Sequence, residues 1–180
     1  RDVAASGAYL AALGCDEIVA DSATLTGSIG VRSSYLQYSG LLERFDIEYV
    51  NISKGSLKEV GNPYQNTTEE EKQVLQDKVD RLHEDFVNQV DSNRNLTNSS
   101  REEVASSEPF LGDKAAELKL VDEIGGRETA IESAENMTDK ELTTFEVQTT
   151  SGVNFLSLLA SDLSIGNLFR SGSPLQASIF

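Results

Sequence analysis

Ser6, in the stretch Asp2-Val3-Ala4-Ala5-Ser6-Gly7-Ala8-Tyr9-Leu10, has the surroundings of a nucleophile. Small neighbours leave its hydroxyl uncovered, and an Ala-rich helical run starts just after it, with the partly positive helix end close by. The same placement suits a helix N-cap, in which the side-chain oxygen is used on backbone amides instead. Taken alone, the segment leaves both readings open.

A serine hydroxyl attacks a carbonyl only when a neighbouring base takes its proton. His83 is the single histidine, far from Ser6 in sequence and inside a long amphipathic helical run, where a surface or half-buried role is expected. A lysine can serve instead if burial lowers its pKa from about 10.4 to roughly 7–8. Two of the seven lysines, Lys54 and Lys58, lie four residues apart in one Gly-containing loop after a strand candidate. For each, a solvated surface lysine is the alternative.

Other chemistries are poorly supplied. The one cysteine, Cys15, excludes an internal disulfide and any multi-cysteine metal site. In Leu13-Gly14-Cys15-Asp16-Glu17 it is expected to be a small buried residue, not a reactive thiol. There is no His/Cys cluster, and Gly125-Gly126 lacks the pattern that cradles phosphate, so no metal and no cofactor is expected. Carboxylate runs such as Glu69-Glu70-Glu71 fit helix-start and solvent-facing charge. The formal charge of −15, from 15 basic and 30 acidic side chains, repels nucleic acid and anionic lipid.

The elements that would position Ser6 and the lysines follow from periodicity and punctuation. Residues 8–13 read as helix with Gly14 as a stop, 17–20 as a short strand, and 24–31 as an extended segment whose two glycines let backbone approach something closely. Apolar residues at Tyr35, Tyr38, Leu41, Leu42 and Phe45 give a helical period, and 47–52 alternates like a strand. After the loop 53–64, Thr68-Glu69-Glu70-Glu71 forms a capping box ahead of a long helix. Its apolar face is Leu75, Val79, Leu82, Phe86 and Val90, and polar residues 91–100 end it. A short helix over 101–106 follows, then strand, turn and helix over 110–118, the run 120–126, and a helix over 127–135. Residues 142–149 read as a last strand and 153–159 as an amphipathic piece before a Ser/Gly-rich end. Alternating helix and strand predict an α/β domain with a mainly parallel sheet flanked by helices.

The 180 residues suit one domain, and no apolar run reaches the roughly 18 residues that span a bilayer. The text enters at Arg1 inside a patterned segment, so a truncated chain lacking upstream strands and any anchor is expected. Asn-X-Ser/Thr sequons at Asn51, Asn66, Asn95, Asn98 and Asn136 lend slight support to an extracytoplasmic location, though Asn/Thr-rich loops explain them equally well.

Several spaced blocks resemble the signal peptide peptidase A family of serine proteases. They are Val3-Ala4-Ala5-Ser6-Gly7-Ala8-Tyr9, Thr24-Leu25-Thr26-Gly27-Ser28-Ile29-Gly30-Val31, Lys54-Gly55-Ser56-Leu57-Lys58-Glu59, Phe110-Leu111-Gly112-Asp113-Lys114-Ala115 and Leu120-Val121-Asp122-Glu123-Ile124-Gly125-Gly126, in the family's order. The resemblance covers roughly residues 1–137. It implies a ClpP/crotonase-like fold for an N-terminally truncated protease domain over residues 1–140; residues 141–180 are read from their own pattern as a C-terminal strand, a helix and a mobile tail. It further implies a Ser/Lys dyad of Ser6 as nucleophile and Lys58, not Lys54, as general base. Ser28 then matches the hydroxyl that holds the lysine amine, and the Gly7 amide one oxyanion donor.

Implied with these are cleavage of residual signal peptides or other hydrophobic peptides, a ring or dome of identical subunits, and membrane association with the catalytic domain outside the cytoplasm. Two features depart from the family: Gly7-Ala8 stands where it has Gly-Gly, and the upstream block with an oxyanion-hole glycine is absent from the chain given. The alternatives are a non-catalytic protease-like assembly module and, on the shared fold, a crotonase-type acyl-CoA enzyme.

Overall fold

In the computed structural model, residues 2–145 are described. Contacts divide the chain into Arg1–Leu142 and Thr143–Phe180, and the account below concerns the first unit. The strand expected over 142–149 lies largely outside the described residues; the pieces from 153 onward lie wholly outside them.

The chain opens with strand β1 (Val3–Ala5) and helix α1 (Gly7–Ala12), joined by Ser6 alone. Strands β2 (Val19–Ala20) and β3 (Leu25–Gly27) follow, then helix α2 (Ser39–Arg44), the long α3 (Glu69–Arg94) and α4 (Asn98–Ala105). The unit continues with β4 (Pro109–Leu111), α5 (Gly112–Glu117), β5 (Glu123–Ile124) and α6 (Arg127–Thr138). One sheet has the order β1-β3-β4, with β1 and β3 parallel and β4 antiparallel to β3; β2 and β5 pair in parallel as a second sheet. Helix and parallel-containing sheet thus make the α/β fold that the alternation predicts.

Sequence accounts closely for the start of α3, whereas the helix expected over 101–106 begins earlier, at Asn98. Thr68 Oγ1 accepts from the Glu71 amide at 3.2 Å while the Glu71 carboxylate accepts from the Thr68 amide at 2.8 Å, which is the capping box read from residue types. Helix α3 stops where Asn95 turns left-handed (φ 48), so it runs to Arg94 and is not broken at residue 91. Its inward face differs from expectation by one residue: Leu82 is exposed, while Val87 is buried beside Phe86 and Val90. These three join Tyr9, Ile29, Val104, Phe110, Leu118 and Leu120 in the core. Fully burying one such side chain stabilises the fold by roughly 1.5–3 kcal/mol.

Three expectations are corrected. The helix expected over 35–45 forms only at Ser39–Arg44, because residues 35–38 are engaged instead by residues 63–67. There the Tyr38 amide donates to the Pro63 carbonyl (2.6 Å), Gln37 Nε2 to the Gln65 carbonyl (3.0 Å), and Tyr35 bonds Thr67. The strand expected over 47–52 does not form; among the described residues no segment pairs with it, and Ile47, Tyr49, Val50 and Ile52 are exposed. Cys15 is exposed, because it lies in the turn after α1 and not on its packed face.

Candidate active site

Register brings two serines together. Pairing of Ala5 with Gly27 closes the β1–β3 ladder, so Ser6 and Ser28 each stand one residue past their strand. The Ser6 amide donates to the Gly27 carbonyl at 2.8 Å, continuing the ladder into the corner, and the Ser6 carbonyl accepts from the Leu10 amide to start α1. Both serines line a cavity of about 620 Å³, with Gly30, Val31, Arg32 and Ser107.

The backbone decides between the two readings of Ser6. Its φ of 54° and ψ of −123° are costly for any side-chain-bearing residue, and its side chain makes no capping bond. The capping reading therefore fails. A serine in a strained strand-to-helix corner, with its hydroxyl not used for capping, is the arrangement that presents a nucleophile.

Seven non-glycine residues among the described ones have positive φ. Asp46, Asn95, Ser107, Lys119 and Asp139 all sit at the C-terminal end of a helix, where a left-handed residue is an ordinary stop. Ser6 and Ser28 (φ 52) are the two without that explanation, and they share the cavity. Such strain persists only where surrounding structure imposes it, and it gathers at functional sites.

The two glycines of 24–31 do make the close approaches expected of them. A Cβ on Gly27, itself at φ 75, would lie 2.7 Å from the Phe110 ring, and one on Gly30 would lie 2.5 Å from Ser107 Oγ. Around Gly7 the space is open: a Cβ there would meet nothing within 4 Å. Ala8, too, is exposed, so the departure from Gly-Gly crowds nothing inside the domain.

Lys54 and Lys58 are placed differently. Both are exposed in the turns over 54–60, where the Lys58 amide bonds the Gly55 carbonyl at 3.1 Å, and neither lines the cavity. The described structure therefore brings Ser6 and Ser28 into one cavity, with Gly7 adjoining Ser6 in sequence, and neither lysine lines that cavity.

Behind Ser6 stands a dense polar knot that the sequence did not single out. Tyr9, on α1, is buried and donates its hydroxyl to the Leu120 carbonyl at 2.7 Å. Arg94 forks onto Asp122 (2.9 and 2.7 Å) and donates to the Lys119 carbonyl; the Asp122 carboxylate also accepts from the Ile18 amide at 2.8 Å. Burial raises the Tyr9 phenol well above its ordinary value, Arg94 opposing and Asp122 adding. The hydrogen bond from Arg94 holds Asp122 below the usual carboxylate range, against the effect of burial and with help from Ile18. Burial works to lower the Arg94 pKa, yet its bond to Asp122 leaves it raised. Distant blocks at residues 9, 18, 94 and 119–122 are thus tied into one support for α1.

A larger cavity, of about 710 Å³, is lined by Asp2, Tyr9, Thr24, Arg127, Glu128 and mostly small or apolar neighbours. No serine, lysine, cysteine or histidine lines it, so it lacks a serine nucleophile of the kind that Ser6 supplies. Among the described residues, no group of three or more His, Cys, Asp or Glu is placed to hold a metal, and no helix is long and apolar enough to cross a membrane.

The profile of peptidase family S49 matches residues 1–142. A Methanocaldococcus jannaschii protein named as a candidate protease is 33% identical over 152 residues, 83% of this chain and 49% of that protein. A candidate signal peptide peptidase of Enterococcus faecium is 39% identical over 143 residues, 79% of this chain and 41% of that one. The chloroplast serine protease SPPA of Arabidopsis thaliana is 32% identical over 131 residues, 72% of this chain and 19% of that protein. The chain thus spans about half the length, or less, of these curated relatives.

Proposed function

The chain belongs to peptidase family S49, and from that membership we propose that it carries the nucleophile of a serine endopeptidase whose base is a lysine. Ser6 Oγ attacks the peptide carbonyl carbon as the Lys58 amine takes its proton. The Gly7 amide donates to the oxyanion that forms, and Ser28 holds the lysine amine. The C–N bond breaks as the Lys58 ammonium protonates the leaving amine; water, losing a proton to Lys58, then cleaves the acyl-Ser6 ester. Substrates are hydrophobic peptides such as signal peptide remnants, and the parent works membrane-associated with its catalytic domain outside the cytoplasm.

One observation carries the proposal: an uncapped serine in a strained corner that shares a cavity with the second serine of the pattern. A lysine acts as a base only where burial favours its neutral form, and Lys58 is exposed. The mechanism therefore needs residues 54–60 to be covered in the working assembly. A second copy of the chain fits that need, since Leu36, Leu41, Phe45, Val50 and Ile52 form a neighbouring run of exposed apolar residues.

The exposure of Lys58 also favours a second reading, a protease-like module that assembles but does not turn over. A fluorophosphonate probe separates the two. In the full-length protein it should label Ser6, mapped by peptide mass spectrometry, and labelling and peptide hydrolysis should both vanish in Ser6→Ala. A correctly folded, assembled protein with Ser6 unlabelled would overturn the enzyme reading.

A further inference from the structure

We propose that Ser107, steadied by His83, is a positioning residue of the Ser6 site, fixing the strip Ser28–Gly30 through the Ile29 carbonyl. The proposal rests on the reading of Ser6 as nucleophile and Ser28 as its hydroxyl partner. Ser107 follows α4 as a left-handed residue (φ 65) and lines the cavity with both of them. Its Oγ donates to the Ile29 carbonyl at 3.0 Å, and His83 Nε2 lies 3.4 Å from the same Oγ. Gly30 packs so closely on it that a Cβ would meet Ser107 Oγ at 2.5 Å and Ser107 Cβ at 2.6 Å. Residue 30 is thereby confined to glycine while residue 107 keeps its side chain.

The strip is held at four points, one of them the Gly30 amide, which donates to the Ser28 carbonyl at 2.9 Å. The Ser28 amide donates to the Glu108 carbonyl at 3.0 Å, the Ile29 side chain is fully buried, and the Ile29 carbonyl is taken by Ser107. Without the last, the peptide between Ile29 and Gly30 keeps only its amide bond to the Ser28 carbonyl, and Ser28, already at a costly φ, loses a restraint on its hydroxyl.

Proton bookkeeping assigns His83 its part. The Ser107 hydroxyl has one proton, and using it on Ile29 requires His83 Nε2–H to donate to Ser107 Oγ. A histidine with Nε2 unprotonated would compete for that proton and weaken the hold on the carbonyl. At 3.4 Å the His83 contact is long, so the Ile29 bond is the stronger restraint and His83 its bias.

The test is steady-state hydrolysis of an apolar peptide by the full-length protein, with kcat and KM read separately and thermal unfolding in parallel. Ser107→Ala should lower kcat about fivefold, the rate equivalent of one net neutral hydrogen bond. KM should stay within about twofold and Ser6 should still label with fluorophosphonate. His83→Leu should lower kcat in the same sense and by less, and His83→Gln, which keeps an N–H donor, should restore it. Unchanged kcat in Ser107→Ala with Ser6 labelled overturns the proposal and leaves the nucleophile standing. Equal loss in His83→Gln and His83→Leu overturns the role of His83. Should Ser107→Ala fail to fold, the two His83 variants decide by themselves. An unlabelled Ser6 in the unmodified protein instead overturns the assignment beneath the proposal.

Discussion

The segment carrying Ser6 and the segment carrying Lys58 are built on opposite terms. Ser6 is held by a strand register, a strained corner, and the Tyr9–Arg94–Asp122 knot packed behind α1. Residues 35–66 instead present Leu36, Phe45, Ile47, Val50 and Ile52 to solvent, with a short helix, tilted contacts of Tyr64 with Tyr38 and Tyr49, and polar bonds along 62–67. One half of the proposed dyad is thus pre-organised by the domain's own core. The other half lies in a segment whose apolar side chains have no partner within that core, so activity and domain stability should respond to different substitutions.

The largest expected effect tests that separation directly. Lys58→Ala should lower peptide hydrolysis by at least about 10⁴-fold in the full-length protein, with thermal unfolding unchanged, while Lys54→Ala leaves most activity. Reversal of the two lysines would put the wrong one at the base. Next comes Gly112→Ala, at the start of α5, where a Cβ would fall 2.1 Å from the Asp21 carbonyl oxygen. Backbone has little room to yield, so chemical denaturation should show a loss of about 1–3 kcal/mol.

Asp122→Asn should cost about 1–2 kcal/mol, discounted because the carboxylate keeps 34% of its side-chain exposure. The sign with pH follows from the depressed pKa. Asp122 contributes fully above the ordinary carboxylate range, and the contribution fades as pH falls through its lowered value. An acid titration of stability should therefore lose part of its slope in the Asn variant. The smallest effect on folding belongs to Ile52→Ser: at 96% exposure it should move stability by no more than about 0.5 kcal/mol. Self-association, read by sedimentation velocity or light scattering, should nevertheless weaken, and an unchanged oligomer would remove the second copy as the cover for this segment.

Residue types made local punctuation legible. Thr68 and Glu71 announced their capping box, and Gly27 and Gly30 announced close backbone approaches. Alternation over 47–52 misled because period two specifies a strand only where a neighbour pairs with it, and nothing described here does. Periodicity over 35–45 overstated the helix because the Tyr38 amide and Gln37 side chain are engaged by residues 63–66. The choice between cap and nucleophile at Ser6 rests on a dihedral imposed by the Gly27 carbonyl, which no run of neighbours encodes. Ser107 was invisible for a similar reason: its partners Ile29 and His83 come from separate elements and meet only in the folded chain.

Parallel pairing of Val3-Ala4-Ala5 with Leu25-Thr26-Gly27 makes the distance between two hydroxyls a matter of counting along a ladder. Outside α1 and the Tyr9 and Ile18 contacts that support it, what joins the two strands can change in length or sequence without separating Ser6 from Ser28. A slip of a single rung, by contrast, would offer Gly27 or Ile29 in place of the second serine. Descendants of this chain are therefore free to vary where the polypeptide travels and bound where it arrives.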